Sequence, residues 1–186
     1  MTEPNPKIAR RPPRKVTPAY LQRAALAYLE RYASSAENLR RVLRRKVEKR
    51  CRLRGEDPAE FLEAIDAVVE GSVRSGLVDD VRYAEARVAS LRRRGGSARA
   101  IRAKLTLKGV DRETIAAALE GEAGDPDADP EEEAARALAR RRRLGPFRPG
   151  ERAPHRDRDL AVLARAGFSY PVARRVVDGG REPDGG

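Results

Sequence analysis

The sequence is poor in the residues that most often build catalytic centres, metal sites and large cores. Its 186 residues include one cysteine, one histidine, no tryptophan and only eight aromatic residues, five Tyr and three Phe. A single cysteine cannot form an internal disulfide or supply a thiolate metal cluster, which favours a reducing compartment. No apolar run approaches the roughly 18 residues of a membrane span, and the N-terminus lacks the apolar segment of a secretory signal. We therefore expect a cytoplasmic protein with no membrane attachment.

Charged residues, by contrast, are abundant. Lys and Arg number 40 against 29 Asp and Glu, which gives a net charge of +11, and the mean hydropathy is −0.69. So little apolar material predicts several small packed units rather than one thick core. Arg far outnumbers Lys; it suits bidentate contacts with carboxylates and phosphates, although GC-rich coding produces the same bias. The charge favours an anionic partner: nucleic acid, a nucleoprotein assembly or the acidic face of another protein.

The charge is unevenly distributed along the chain. Residues 1–17 combine five basic residues and one acidic residue with four prolines, which predicts a disordered basic arm. Residues 120–133 contain eight acidic residues and no basic one. This block predicts an acidic linker over residues 122–129, followed by the first turn of a new helix. Residues 180–186 are expected to form a disordered tail.

The spacing of apolar residues predicts an all-α protein. Ala, Leu, Arg and Glu dominate at helical spacings, and the alternation typical of strands is almost absent. Capping residues followed by proline or an acidic residue mark most of the helix starts. The predicted N-caps are Thr17, Ser34, Asp57, Asp79, Ser97, Asp111, Asp129 and Ser169.

Two internal correspondences predict a tandem repeat. Ser35, Leu39 and Leu43 match Ser97, Ile101 and Leu105, and Leu105, Gly109, Val110 and Leu119 match Leu163, Gly167, Phe168 and Val177. Units of roughly 60 residues with three helices each would form an elongated array of small cores, with helix-turn-helix-like geometry. The predicted repeats are residues 18–76, 77–121 and 130–179.

Three groups of basic residues are the candidate binding sites. In the first, four arginines at positions i, i+1, i+4 and i+5 form a stripe facing away from Leu39 and Leu43. A solvated helix face explains any single group equally well, but several groups in one short chain favour an anionic partner. The candidates are Arg40, Arg41, Arg44 and Arg45; Arg92, Arg93 and Arg94; and Arg140, Arg141, Arg142 and Arg143.

Catalytic, metal and nucleotide sites are not indicated. The pair Asp79 and Asp80 resembles an acid/base pair, but its position after a Gly-Leu turn favours a helix start. His155 and Cys51 lack partners at metal-binding or nucleophile-activating spacings. The glycines before Ser97 lack the Gly-Lys-Ser/Thr ending of a nucleotide loop. We therefore expect no enzyme activity, no cofactor and no metal.

The run from Ser75 to Leu119 carries a Leu-x-Asp-Asp turn, a Tyr-Ala pair, a Lys-Gly turn and an Ile-containing helix. In these motifs it resembles the core of the RecX family of regulatory proteins. The segment Leu163 to Asp178 is similar to that family's third repeat, and Ala27 to Lys46 to its first, so the resemblance spans Thr17 to Gly179. The matching positions, for which we expect mainly structural roles, are Leu77, Asp79, Asp80, Tyr83, Ala84, Gly109, Gly167 and Phe168.

Two segments depart from the family pattern. Residues 49–58 replace a short Lys-Gly turn, which predicts a lengthened second helix in the first repeat. Residues 145–154 are rich in proline and predict a lengthened connection in the third.

The resemblance implies three tandem three-helix repeats that bind the RecA recombinase filament on single-stranded DNA. It further implies inhibition of filament extension, ATPase activity and strand exchange, and thus a role in recombination, DNA repair and the SOS response. On this hypothesis the arginine groups contact the filament, binding to naked DNA is weak and non-specific, and the protein is a monomer. The alternative is a helix-turn-helix-like protein whose arginines contact DNA phosphates and base edges directly.

Overall fold

The structure, a computed structural model, describes residues 14–122 and 129–180. Within these ranges the chain forms nine α-helices and three short 3-10 turns, with no strand. The predicted all-α fold is confirmed. The predicted arm, acidic linker and tail lie largely at residues 1–13, 123–128 and 181–186, outside the described residues.

The helices follow one another in groups of three. The first group is α1 (Pro18–Leu29), α2 (Ala36–Arg52) and α3 (Leu62–Arg74); the second is α4 (Asp80–Arg93), α5 (Ala98–Leu107) and α6 (Arg112–Glu120); the third is α7 (Pro130–Arg142), α8 (Arg156–Arg165) and α9 (Tyr170–Asp178). The 3-10 turns cover Pro58–Phe61, Gly145–Phe147 and Ala153–His155. With 17 residues, α2 is the longest helix in the described part of the chain.

Most helix starts have the predicted capping residue, with two differences. The predicted cap at Ser34 is wrong by one residue, because Ser35 Oγ accepts the backbone N–H of Asn38 at 3.2 Å. Ser34 Oγ instead accepts the side-chain amide of Asn38 at 2.8 Å. Asp57 caps a 3-10 turn, and α3 begins only after it, at Leu62. The other six predicted caps each accept a backbone N–H in the first turn of their helix.

Each group of three helices buries its own apolar cluster, as expected for a chain of low hydropathy. The first cluster centres on Leu21, Leu39, Leu43 and Ile65, the second on Val88, Ile101, Leu105 and Ile115, and the third on Leu138, Leu163, Ala173 and Val176. One of the predicted correspondences is visible in the structure: Ser35 and Ser97 are both helix caps and both fully buried.

A buried carboxylate supports the third cluster. Asp159 is only 1% exposed; its two oxygens accept the Gly145 backbone N–H at 2.8 Å and the Arg148 guanidinium at 2.6 Å. Burial acts to raise the pKa of Asp159, but the hydrogen bonds from Arg148 and Gly145 outweigh it and lower the pKa below its ordinary value. The connection between α7 and α8 is therefore fixed to α8 by a charged, hydrogen-bonded group.

The chain divides into two compact units, Met1–Val78 and Asp79–Gly186. The first unit contains α1 to α3. The second contains both α4 to α6 and α7 to α9, with α4 in contact with α7. We refer to the three groups of helices as the first, second and third repeats.

Two glycine turns bring the second and third repeats close together. Gly95 has a φ of +75°, and a Cβ there would lie 2.6 Å from the backbone nitrogen of Leu138. Gly167, at a φ of +100°, would place a Cβ 2.5 Å from Ser97 Oγ. Ser97 Oγ also donates a hydrogen bond to the Ala166 carbonyl oxygen at 2.7 Å. Both positions combine a left-handed backbone with a close approach, so only glycine fits.

Candidate functional site: a basic cleft between the second and third repeats

An open cleft of about 420 Å³ lies between the second and third repeats, with walls from α4, α5, α7 and α8. Its buried and half-buried lining residues are apolar or glycine, and its exposed ones are all basic. The apolar floor consists of Leu91, Gly95, Gly96, Ala100, Leu138, Val162 and Ala166, and the basic rim of Arg94, Lys104, Arg141, Arg142 and Arg165. We call this feature the basic cleft.

The rim charges are not neutralised within the described residues. No Asp or Glu is among the described residues that line the cleft, and none of the five basic side chains forms an ion pair across residues 14–122 and 129–180. All five lie in the last turn or at the end of their helices. The C-terminal dipole of each of the four helices contributes about −0.5 charge, so five cations leave a local charge of about +3. The cleft therefore attracts anions.

The cleft brings together predicted residues and others that the sequence did not reveal. Arg94, Arg141 and Arg142 were predicted from their runs. Lys104 and Arg165 were not, because neither belongs to a run of consecutive basic residues. The fold places both of them in the lining of the same cleft.

Arg92, also a predicted binding residue, is instead held between the two repeats. Its Nε and Nη2 donate to the Glu122 carboxylate at 2.8 to 3.0 Å, and its Nη1 pairs with Glu131. The side chain is only 13% exposed. Burial acts to lower the pKa of Arg92, but the hydrogen bonds to Glu122 and Glu131 raise it on balance. Glu131 also accepts the Ala98 N–H at 3.0 Å, so Arg92 joins α4, α5 and α7 and does not point to a partner.

The first arginine group is partly engaged in the same way. Arg40 pairs with Glu37 and with Asp66, both at 2.7 Å, and so joins α2 to α3. Arg41 pairs with Glu37 at 2.9 Å. Burial acts to raise the pKa of Glu37, but these two arginines lower it on balance. Arg44 is half-buried and Arg45 exposed, and neither forms an ion pair within residues 14–122 and 129–180.

The other predicted arginines are exposed and lie outside the basic cleft. Arg93 follows Arg92 on α4 and forms no ion pair in the described ranges. The Arg140 guanidinium lies 5.3 Å from the centre of the Phe147 ring. Arg143 caps the C-terminus of α7 in a left-handed conformation, with a φ of 56°.

The positions that carry the family resemblance have mostly structural surroundings. Asp79 Oδ1 accepts the Arg82 N–H at 3.0 Å, as a helix cap does. Leu77 is 53% exposed and so contributes little to a core, and Asp80 is half-buried. The remaining positions are the buried Tyr83, Ala84 and Phe168 and the left-handed turn residues Gly109 and Gly167.

A smaller basic pocket of about 230 Å³ lies in the first repeat. There the Arg50 guanidinium stacks 3.8 Å from the centre of the Tyr20 ring and donates to the Arg14 carbonyl oxygen at 2.8 Å. Lys46, Lys49 and Leu53 complete the lining. In the described segments, no group of His, Cys, Asp and Glu could hold a metal ion, and no helix has the length and apolarity to cross a membrane.

Comparisons with known proteins identify the family. Residues 79–119 match the family model described as the second three-helix domain of RecX. The regulatory protein RecX of Myxococcus xanthus is 46% identical over 179 residues, covering 94% of both chains. That of Agrobacterium fabrum is 32% identical over 162 residues, covering 86% of this chain and 82% of its own.

A crystal structure of a regulatory protein RecX has the same fold. It superposes with a TM-score of 0.60 at 21% identity and covers 87% of this chain and 72% of the other. Together with the sequence identities over nearly the whole length, this shows that the chain belongs to the RecX family of regulatory proteins.

Proposed function

We propose that this protein binds the RecA recombinase filament on single-stranded DNA and inhibits its extension, ATPase activity and strand exchange. Membership of the RecX family supports this assignment. The observation that carries it in this chain is the basic cleft, whose exposed cations have no carboxylate beside them in the described structure. Regulation would occur through docking, without an enzymatic step, and in the cytoplasm, with the protein acting as a monomer.

The charge distribution fits an anionic nucleoprotein partner. A protein of net charge +11 is attracted over long range to a filament that contains DNA. At close range, exposed guanidinium groups form bidentate bonds with carboxylates and phosphates. In the first repeat, Arg44 and Arg45 add a second cationic contact point, since Arg40 and Arg41 are engaged within the fold.

Direct DNA binding is the second candidate function. Arg45 and Arg93 favour it, because both are exposed to phosphates and neither forms an ion pair among the described residues. A phosphate-binding protein loses about 0.9 log units of affinity per neutralised phosphate for each log unit of salt. The two functions therefore differ in their salt dependence and in the ratio of filament to naked-DNA affinity. We expect weak, non-specific binding to naked DNA.

An ATPase titration on recombinase filaments tests the proposal. Added protein should lower ATP hydrolysis in a dose-dependent manner, and its affinity for nucleotide-bound filaments should exceed its affinity for bare single-stranded DNA by at least about tenfold, or 1.4 kcal/mol. Similar affinities for bare DNA and filament, with no effect on ATPase, would favour direct DNA binding instead.

Charge reversal in the first repeat tests the second contact point. The double substitution Arg44→Glu and Arg45→Glu leaves the Arg40 ion pairs in place and should raise the concentration needed for half-maximal inhibition. A matched control replaces Arg112 and Arg158 with glutamate; both are exposed and form no ion pair within the described part of the chain. Equal inhibition by both folded variants would exclude this helix face from the interface.

A further inference from the structure

The basic cleft combines two kinds of surface that one ligand must satisfy together. Its rim carries five exposed cations, and its floor is apolar. A ligand that carries only anionic groups would contact the basic rim but leave the apolar floor uncovered. The floor includes the half-buried side chains of Ala100 and Val162, whose burial by a ligand would add affinity.

Single-stranded nucleic acid is a poor match for this lining. Proteins that bind it without sequence preference stack bases on aromatic side chains, each stacked base contributing about 1–3 kcal/mol. None of the described residues lining the cleft is aromatic. An acidic peptide with interspersed apolar side chains matches both surfaces, because its carboxylates can form bidentate pairs with the rim arginines while its apolar groups cover the floor.

We propose that the basic cleft is a docking site for an acidic segment of the protein component of the filament, one in which carboxylates flank apolar side chains. This inference rests on the proposed function and adds the chemistry of the contact. The rim guanidinium groups of Arg94, Arg141, Arg142 and Arg165, with the Lys104 ammonium, pair with the carboxylates. Ala100 and Val162 receive the apolar side chains.

The walls of the cleft are fixed before a partner arrives. The Arg92–Glu131 ion pair joins α4 to α7, and the Ser97 to Ala166 hydrogen bond joins the N-terminus of α5 to the end of α8. The close approach of Gly95 to Leu138 leaves no room for the helices to shift inward. A preformed site avoids the free-energy cost of ordering its walls on binding.

Neutralising the rim tests the charge pairing. The triple substitution Arg141→Gln, Arg142→Gln and Arg165→Gln uses glutamine because a carboxylate at a helix C-terminus would itself destabilise the helix. We expect affinity for recombinase filaments on single-stranded DNA to fall at least about tenfold. The matched control replaces Arg102, Arg112 and Arg158 with glutamine and so loses the same charge. These three arginines are exposed, lie outside the cleft and form no ion pair with the residues that the structure describes.

Filling the floor tests the apolar contact separately. Ala100→Leu adds a larger side chain to the cleft on a helix that accepts leucine well, and should lower filament affinity about fivefold or more. Ala103→Leu, at an exposed position on the same helix and outside the cleft, is the control. Naked oligo-dT is measured in parallel with every variant. The affinity for oligo-dT should differ by less than about twofold between the triple glutamine variant of the rim and the triple control variant.

Each outcome decides the inference. If the triple glutamine variant of the rim and Ala100→Leu both bind filaments with wild-type affinity, the cleft is not the contact site. The proposed function would still stand if the wild-type protein inhibits the filament. If the triple glutamine variant of the rim loses as much affinity for oligo-dT as for filaments, nucleic acid occupies the cleft and the proposal is overturned. A wild-type protein that does not bind filaments would overturn both.

Discussion

Removing the Arg92 side chain should weaken the contact between the second and third repeats. Arg92 forms ion pairs with Glu122 and Glu131, which are 12% and 24% exposed. In Arg92→Ala both carboxylates would lose their shared cation and remain close together in a poorly solvated position. Among the described residues, Glu131 would keep its hydrogen bond from the Ala98 N–H at the start of α5.

The expected loss of stability follows from burial. Breaking a fully buried ion pair by removing one partner costs about 3–5 kcal/mol, and an exposed pair contributes about 0–1 kcal/mol. The Arg92 side chain is 13% exposed, so its ion pairs are close to fully buried but still in partial contact with solvent. We therefore expect Arg92→Ala to lower the free energy of unfolding by about 2–3 kcal/mol. Arg92→Lys keeps the charge but cannot span both carboxylates, so it should lose roughly half as much.

Urea denaturation and hydrogen exchange by mass spectrometry measure this effect. With an m-value of about 2 kcal/mol/M, the midpoint should fall by about 1–1.5 M, and exchange should accelerate in α4, α5 and α7. Arg93→Ala is the control, because Arg93 is the next residue, exposed and unpaired in the described ranges. Stabilities of Arg92→Ala and Arg93→Ala within about 0.5 kcal/mol of each other would refute the reasoning.

Two further substitutions test the core of the third repeat and its contact with the second. Asp159→Asn should cost about 2–3 kcal/mol at pH 7, because Arg148 loses its anionic partner. Since the pKa of Asp159 is lowered in the folded protein, its stabilisation is present above about pH 4 and lost as the pH falls through the folded value, so wild type and variant should converge in acid denaturation curves. Gly95→Ala combines a left-handed φ with a clash against Leu138 and should cost more than about 2 kcal/mol in urea titrations. Gly76→Ala, with a φ of +72° but open space around it, should cost only about 1 kcal/mol; equal losses at both glycines would show that the close approach is relaxed in solution.

The fold was predictable because its signals are local. A capping side chain and the backbone N–H it accepts lie within three residues of each other, so Asp79, Ser97 and Asp111 could be assigned from sequence alone. At Ser34 and Ser35 two adjacent serines both suit a cap, and the choice depends on packing. Ser35 takes the fully buried position that corresponds to Ser97 in the second repeat.

The roles of the individual arginines were not predictable, because they depend on distant partners. Arg92 and Arg94 are two residues apart in one run, yet one pairs with carboxylates 30 and 39 residues further along the chain and the other lines the cleft. Two residues correspond to about 200° around a helix, so the two side chains point to different surroundings. A run of arginines indicates a basic region without showing which members a partner can reach.

The net charge is +11, and the ion pairs determine which of the basic residues remain available to a partner. Many of the carboxylates neutralise arginines that join helices, such as Arg40, Arg92 and Arg148. Five basic residues of the second unit that form no ion pair among the described residues lie where helix ends from two repeats meet around an apolar floor. Because screening by salt acts most strongly on exposed charges, raising ionic strength should weaken binding at the cleft well before it weakens the partly buried pairs that hold its walls. A partner can therefore be released by salt without loss of the fold that recognises it.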